Sequence, residues 1–205
     1  MPFVFKRLAL YLSIAAAFAA DKDSAFRPAP AASYPHHQTN SRVTIAADPY
    51  VSGDKIKVAF GKLDPYVYGV LPVLVVIQND SGQTLRLKGM QAEYVGPRGE
   101  RIPATPASDV RYARAPKRPT AVPTPIGTIP LKGKKNPLNA WEIEGRAFAA
   151  EMLPAGNSAS GFVYFESGLE RGSTIYLSGI TEAATGKELL YFEIPIGDPL
   201  GNPPQ

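Results

Sequence analysis

The chain contains no cysteine. No thiolate is available as nucleophile, metal ligand or lipid attachment point, and no disulfide can staple the fold even in an oxidising compartment. A lipoprotein is excluded. Histidine is nearly as scarce, with His36 and His37 the only two, side by side. Adjacent rings cannot by themselves form a packed catalytic dyad or a closed metal site, so Ser-His-Asp and Cys-His mechanisms and the usual zinc ligand sets drop out. The pair reads as solvated linker residues, or as a weak surface metal contact. No Asp-rich run carries the spacing of a calcium loop, and Gly96 to Gly99 lacks the lysine-serine or lysine-threonine continuation of a phosphate cradle. No metal or cofactor is expected.

Long hydrophobic runs are also missing. The apolar stretch from Leu8 to Ala20 covers 13 residues, against the roughly 20 that a membrane-spanning helix needs. It follows Lys6 and Arg7, and Ala17-Phe18-Ala19 offers small residues at the two positions a signal peptidase reads. The expectation is a signal peptide over residues 1–19, export to an extracytoplasmic location (periplasm or medium), and no stable membrane span after its removal. Without Lys6 and Arg7, 20 basic face 18 acidic side chains, a formal charge of +2. That balance makes no case for nucleic-acid binding.

What the chain does have is proline, at 21, and glycine, at 18, which announce many turns and long loops. Residues 20–41 carry Pro28, Pro30 and Pro35 with no sustained apolar period and read as a flexible linker. A single domain is expected over residues 42–196. Arg42 to Ala47 is its first extended run, and in Lys55 to Phe60 the residues Ile56, Val58 and Phe60 alternate with Lys57 and Ala59, the period of a strand. Val70 to Gln78 is the clearest strand, apolar on both parities from Val73 to Ile77 and closed by Asn79-Asp80-Ser81-Gly82, which makes it a central one. Thr84 to Leu87 is a further short strand. Met90 to Val95 and Glu100 to Ala104, joined by Gly96-Pro97-Arg98-Gly99, read as a hairpin. The last third supplies strands at Phe148 to Leu153, Gly161 to Phe165, Thr174 to Ile180 and Glu188 to Ile194, with a tail that frays after Pro195 and is disordered over 197–205. Asp48-Pro49-Tyr50 and Asp64-Pro65-Tyr66 read as turns in which aspartate accepts backbone hydrogen bonds.

Between residues 105 and 137 seven prolines break every period. So long a segment without pattern inside a domain is where function is sought first. Asn136-Pro137 then supplies a helix cap and a first-turn proline, with Leu138, Trp141 and Phe148 on the apolar side of one short helix. The segment is strongly basic. Arg111, Arg114, Lys117, Arg118, Lys132, Lys134 and Lys135 face Asp109 alone, with Tyr112 among them and Trp141 just after. Cations beside aromatic surface suit an acidic glycan, an anionic lipid surface or an acidic partner protein, and these nine residues are the candidate binding site. The competing reading is a loop kept hydrated by its charges, with Trp141 anchoring the helix in the core; charge runs and tryptophans in general favour it. Tyr50, Tyr66, Tyr68, Tyr94 and Tyr112 form a looser group, read as packing at sheet edges with hydroxyls outward or as lining a sugar-binding face.

Val73 to Ser81, apolar residues running into Asn-Asp-Ser, and Leu153-Pro154-Ala155-Gly156 with Gly161-Phe162-Val163-Tyr164-Phe165-Glu166 resemble signatures of the immunoglobulin-like sandwich modules of bacterial extracytoplasmic proteins. The resemblance covers about Ile56 to Ile194. It implies an all-β fold, a single immunoglobulin-like antiparallel β-sandwich with one short helix and a long Pro-rich insertion at 105–137, and it carries no catalytic residue. The departures are the basic insertion and the missing cysteine pair of antibody-type domains. The functional expectation is an exported, non-catalytic interaction module that contacts an envelope protein or an acidic glycan. The alternatives are a carboxylate-dependent glycan-active enzyme, a protease inhibitor presenting its loop, and a structural envelope subunit that self-associates through edge strands. The oligomeric state is left open by the sequence.

Overall fold

The computed structural model describes residues 26–113, 122–124, 127–129, 136–138 and 140–197. In chain order they form β1 (His37–Asn40), β2 (Val43–Pro49), α1 (Gly53–Phe60), β3 (Leu71–Asn79), β4 (Leu85–Arg86), β5 (Gln91–Val95), β6 (Arg101–Pro103) and α2 (Ala107–Val110). There follow β7 (Val122–Thr124), β8 (Gly127–Ile129), α3 (Trp141–Gly145), β9 (Met152–Leu153), β10 (Ser158–Phe165), β11 (Thr174–Ser178), β12 (Thr181–Glu182) and β13 (Phe192–Pro195). The chain is mostly β, and every strand pairing is antiparallel. Two four-stranded sheets run β1-β2-β3-β10 and β13-β11-β5-β6. A three-stranded sheet runs β12-β4-β9, and β7 and β8 form a separate hairpin. The signal peptide expected over 1–19 and the tail 198–205 lie outside the described residues.

β3 sits where the sequence puts it, inside the first sheet between β2 and β10. Its two parities serve two cores. Val73, Val75 and Ile77 meet Tyr94, Ile175, Leu177, Phe192 and Ile194 of the second sheet, while Leu74 and Val76 face a layer containing Ile56, Phe60, Val110 and Ile143 from the helices. Phe162 of β10 centres that second layer, with Phe60 at 4.7 Å and Tyr50 edge-on at 4.9 Å between ring centroids. The two four-stranded sheets therefore share one core, and helices cover the outer face of the first.

The polar end of β3 also has a structural use. Asn79 is fully buried, and its Nδ2 donates to the carbonyls of Gln83 at 2.8 Å and Leu153 at 3.0 Å while its Oδ1 accepts from the Ser81 amide and hydroxyl. One side chain thus fixes the turns that lead into β4 and out of β9. At Gly161 the segment Arg146 to Phe148 crosses β10: Phe162 N–H donates to Arg146 O at 2.8 Å and Phe148 N–H to Phe162 O at 2.9 Å. A Cβ on residue 161 would lie 2.6 Å from the Phe148 nitrogen, so only glycine permits the crossing.

Several expectations are corrected. Lys55 to Phe60 is not a strand but part of α1. Ser52 caps the helix by accepting from Lys55 N–H, Gly61 ends it at φ 64°, and the buried positions are Ile56, Ala59 and Phe60, spaced as one helical face. Val58, which alternation would bury, is 67% exposed. Among the described residues three short α-helices replace the single one expected. The stretch 20–41 read as linker is packed from Phe26 onward: Ala31 is buried, and β1 pairs with β2 through a two-residue turn in which Ser41 and Arg42 both have positive φ. His37 opens β1 and its Nδ1 lies 2.6 Å from Tyr34 O. Asp48-Pro49 is the end of β2 rather than a turn, with Asp48 nearly buried and paired to Lys55 at 2.6 Å. Asp64 does hold a turn, accepting from the Tyr66 and Val67 amides. Ile196, past the point where fraying was expected, is buried, and its amide donates to Ser173 O. The β5–β6 hairpin stands as expected.

Two stability measurements check this account. By urea unfolding, Ile56→Ala is expected to cost about 2–5 kcal/mol, whereas Val58→Glu stays within about 0.5 kcal/mol of the parent; equal losses would restore the strand. Asn79→Ala, which removes the donor to the buried Leu153 carbonyl and the acceptor of the Ser81 amide and hydroxyl, is expected to cost roughly 1–3 kcal/mol by the same measurement.

Candidate functional site

The basic segment runs from α2 to α3 in the chain, with β7 and β8 between them. α2 starts at Pro106, whose carbonyl accepts from the Asp109 and Val110 amides, and it sends one side chain, Val110, into the helical layer. Ala113 is buried just beyond. On the return side Asn136 does not cap a helix. Its Oδ1 accepts from Leu138 N–H at 3.0 Å in a local turn that buries Leu138, and the helix begins four residues later than expected, with Ala140 at its N-cap and no side-chain cap. Asn136 Nδ2 donates to Arg111 O, which ties the two ends of the segment together. α3 is held from below by the Tyr164 hydroxyl, which donates to Ile143 O at 2.7 Å.

Three of the nine predicted site residues lie at this base. Arg111 donates through Nε to Ser108 O at 2.7 Å, reaches Glu144 of α3 at 3.5 Å, and has its guanidinium 5.5 Å from the Tyr112 ring. An ion pair this exposed orients the arginine more than it stabilises the fold. Tyr112 is 67% exposed, and Trp141 is 70% exposed. The core role weighed for Trp141 is thereby corrected: Ile143, two residues on, takes the buried position, and the indole lies along α3 against Gly145. Arg114, Lys117, Arg118, Lys132, Lys134 and Lys135 lie outside the described residues.

The looser tyrosine group does not share a face. Tyr94 is fully buried in the core between the sheets, and Tyr50 packs in the helical layer. The hydroxyls of Tyr66 and Tyr94 accept from the consecutive amides of Leu169 and Glu170, at 3.2 and 3.0 Å, and so fasten the loop between β10 and β11. Two other groupings have no signal in the sequence. On the second sheet the Arg101 guanidinium stands 4.5 Å from the Tyr176 ring, which stacks on Tyr191 at 5.2 Å. At the end of α3, Arg146 borders a pocket with Phe26 and Ser160. These contacts join residues from 14 to 120 positions apart, which no local spacing reveals. Among the described residues no group of three or more histidine, aspartate and glutamate side chains could hold a metal ion, and no helix is long and apolar enough to cross a membrane.

Burial pushes the phenols of Tyr50 and Tyr164 well above the ordinary tyrosine range; the Asp48 charge adds to the shift at Tyr50, and the Arg146 charge partly offsets it at Tyr164. A raised phenol favours the neutral form in the folded state. Its contribution is whole below about pH 10, the unfolded value, and is lost as pH climbs toward the folded one. Urea unfolding from pH 8 to 11.5 is expected to show stability falling above about pH 10, and Tyr50→Phe should make that fall shallower.

No protein-family model matches this chain, and no curated protein matches it either.

Proposed function

We propose that the protein is an exported, non-catalytic binding module whose insertion at 105–137 recognises an acidic partner of the cell envelope, an acidic glycan or an acidic protein surface. The observation that carries this reading is the exposure of Trp141 together with Tyr112 at the clamped base of a strongly basic segment. Large aromatic side chains are usually drawn inward, and leaving two of them in solvent beside an arginine is a disposition suited to contact. The base is also rigid: Ala113 and Leu138 are buried on either side of the Asn136–Arg111 hydrogen bond, so the aromatic groups are held in place before a partner arrives.

The immunoglobulin-like assignment belongs to the same reading. Two four-stranded antiparallel sheets that share one core support it, while the third sheet and the helical layer are departures from a plain sandwich. Export rests on the residue pattern at positions 1–19. The absence of cysteine and of any histidine beyond His36 and His37 supports a role in binding rather than nucleophilic catalysis.

The test is affinity for a polyanionic glycan, polygalacturonate, against neutral dextran, at several salt concentrations. The parent protein is expected to bind the polyanion with an affinity that falls as salt rises. Tyr112→Ala and Trp141→Ala should each weaken it about ten-fold while leaving the unfolding midpoint unchanged, as suits exposed side chains. Equal binding to dextran, or a loss of stability that accounts for the loss of binding, would sink the proposal.

A further inference from the structure

The pocket at the end of α3 is built differently from the surface around Trp141. It has a volume of about 200 Å³ and is lined by Phe26 and Pro28 from the N-terminal stretch, Arg146 and Ala147 after α3, and Ser160 and Gly161 of β10. That is several times the ~30 Å³ share of one water in the liquid. Arg146 Nε is the one buried side-chain nitrogen or oxygen among the described residues that has no hydrogen-bond partner. Arg98, Arg101 and Arg111 all reach a glutamate within 4 Å, but among the described residues no carboxylate reaches Arg146. Its guanidinium lies 5.2 Å from the centroid of the Phe26 ring, a contact that helps fix its direction.

The main chain beside it is equally fixed and partly unused. β10 pairs with β3 along one edge. On the other edge the N–H and C=O of Phe162 bond to Arg146 and Phe148, so by the alternation of an antiparallel ladder Ser160, two residues earlier, turns its N–H and C=O the same way. Among the described residues nothing bonds to them there. The pocket therefore combines a forked cation short of a partner, one open donor and acceptor pair on a strand edge, and apolar walls from Phe26 and Pro28.

We infer that this pocket binds a carboxylate that carries a short apolar stem. A guanidinium fork meets a planar carboxylate with two parallel hydrogen bonds; Nε is shut in by protein atoms, so the two Nη groups at the end of the side chain would make them. The stem packs on Phe26 and Pro28. Two sources share this chemistry, a small free carboxylic acid and the C-terminal end of a peptide. The Ser160 edge serves only the second, because a peptide brings its own N–H and C=O to add to the strand. The inference goes beyond the acidic-partner reading and does not use the insertion.

The test follows the Nε–Hε signal of Arg146 and the amide of Ser160 by NMR in the full chain while isobutyrate, the tripeptide acetyl-Gly-Ala-Val and the same tripeptide as its C-terminal amide are added separately. The free acid of the tripeptide is expected to move both signals in a saturable way and its amide to move neither. Isobutyrate moving the Arg146 signal as strongly as the tripeptide acid identifies a small-acid site; a tripeptide acid that binds at least ten-fold tighter identifies a chain-end site. Arg146→Lys keeps the charge without the fork and should weaken the better probe about ten-fold at an unchanged unfolding midpoint, while Tyr112→Ala should leave its affinity intact. Shifts that are the same for acid and amide, shifts confined to other residues, or no saturable shift with either acid would overturn the inference.

Discussion

Burying β3 on both faces is the constraint from which the rest of the structure follows. Leu71, Val73, Val75 and Ile77 on one side and Leu74 and Val76 on the other all lose nearly all contact with water. Each such side chain is worth about 1.5–3 kcal/mol when fully buried. A strand of that kind cannot sit in a sheet with a wet face, so a second layer must be assembled from whatever the chain offers. Here the layer is made of short pieces: α1, the turn of α2, α3 and the residues around Ala31. None of these helices is long enough to be stable alone, and each contributes one to three side chains to a surface that β2, β3 and β10 have already arranged. The helices are consequences of the sheet.

The sequence was legible where local pattern and tertiary demand agree. β3 declared itself by being apolar on both parities, the β5–β6 hairpin by its Gly-Pro-x-Gly turn, and β10 and β11 by aromatic and β-branched runs. α1 was misread because Ile56, Val58 and Phe60 satisfy a period of two, while Ile56, Ala59 and Phe60 satisfy the helical period equally well. Eight residues are too few to separate the two, and the serine cap and terminal glycine were the deciding signals. β1 was hidden for a different reason. Its hairpin turn uses Ser41 and Arg42 at positive φ, positions where asparagine and glycine are the usual advertisement. His37 to Asn40 also has no buried side chain to reveal a period.

The candidate site was half legible. Composition alone located the basic insertion and its aromatic companions, because charge and proline leave a mark whatever the fold does with them. The exposure of Trp141 was not legible, since Trp141 and Ile143, two residues apart, fall on opposite sides of α3 and only packing decides that the side with Ile143 goes in. Arg146 had no mark at all. What sets it apart is the company of Phe26 and Ser160, which arrive from opposite ends of the chain and meet only because Gly161 lets the residues after α3 cross β10.

The hydrogen bond from Asn136 to Arg111 joins residues 25 positions apart and closes the insertion at its neck. Once the ends of a loop are pinned, its length enters the free energy only logarithmically, at about 0.6 kcal/mol for each doubling. Joining Arg111 to Asn136 therefore costs the fold little more for a long insertion than for a short one. With Ala113 and Leu138 buried on either side of the join, the sheets beneath meet the insertion as a closed neck and not as two loose ends.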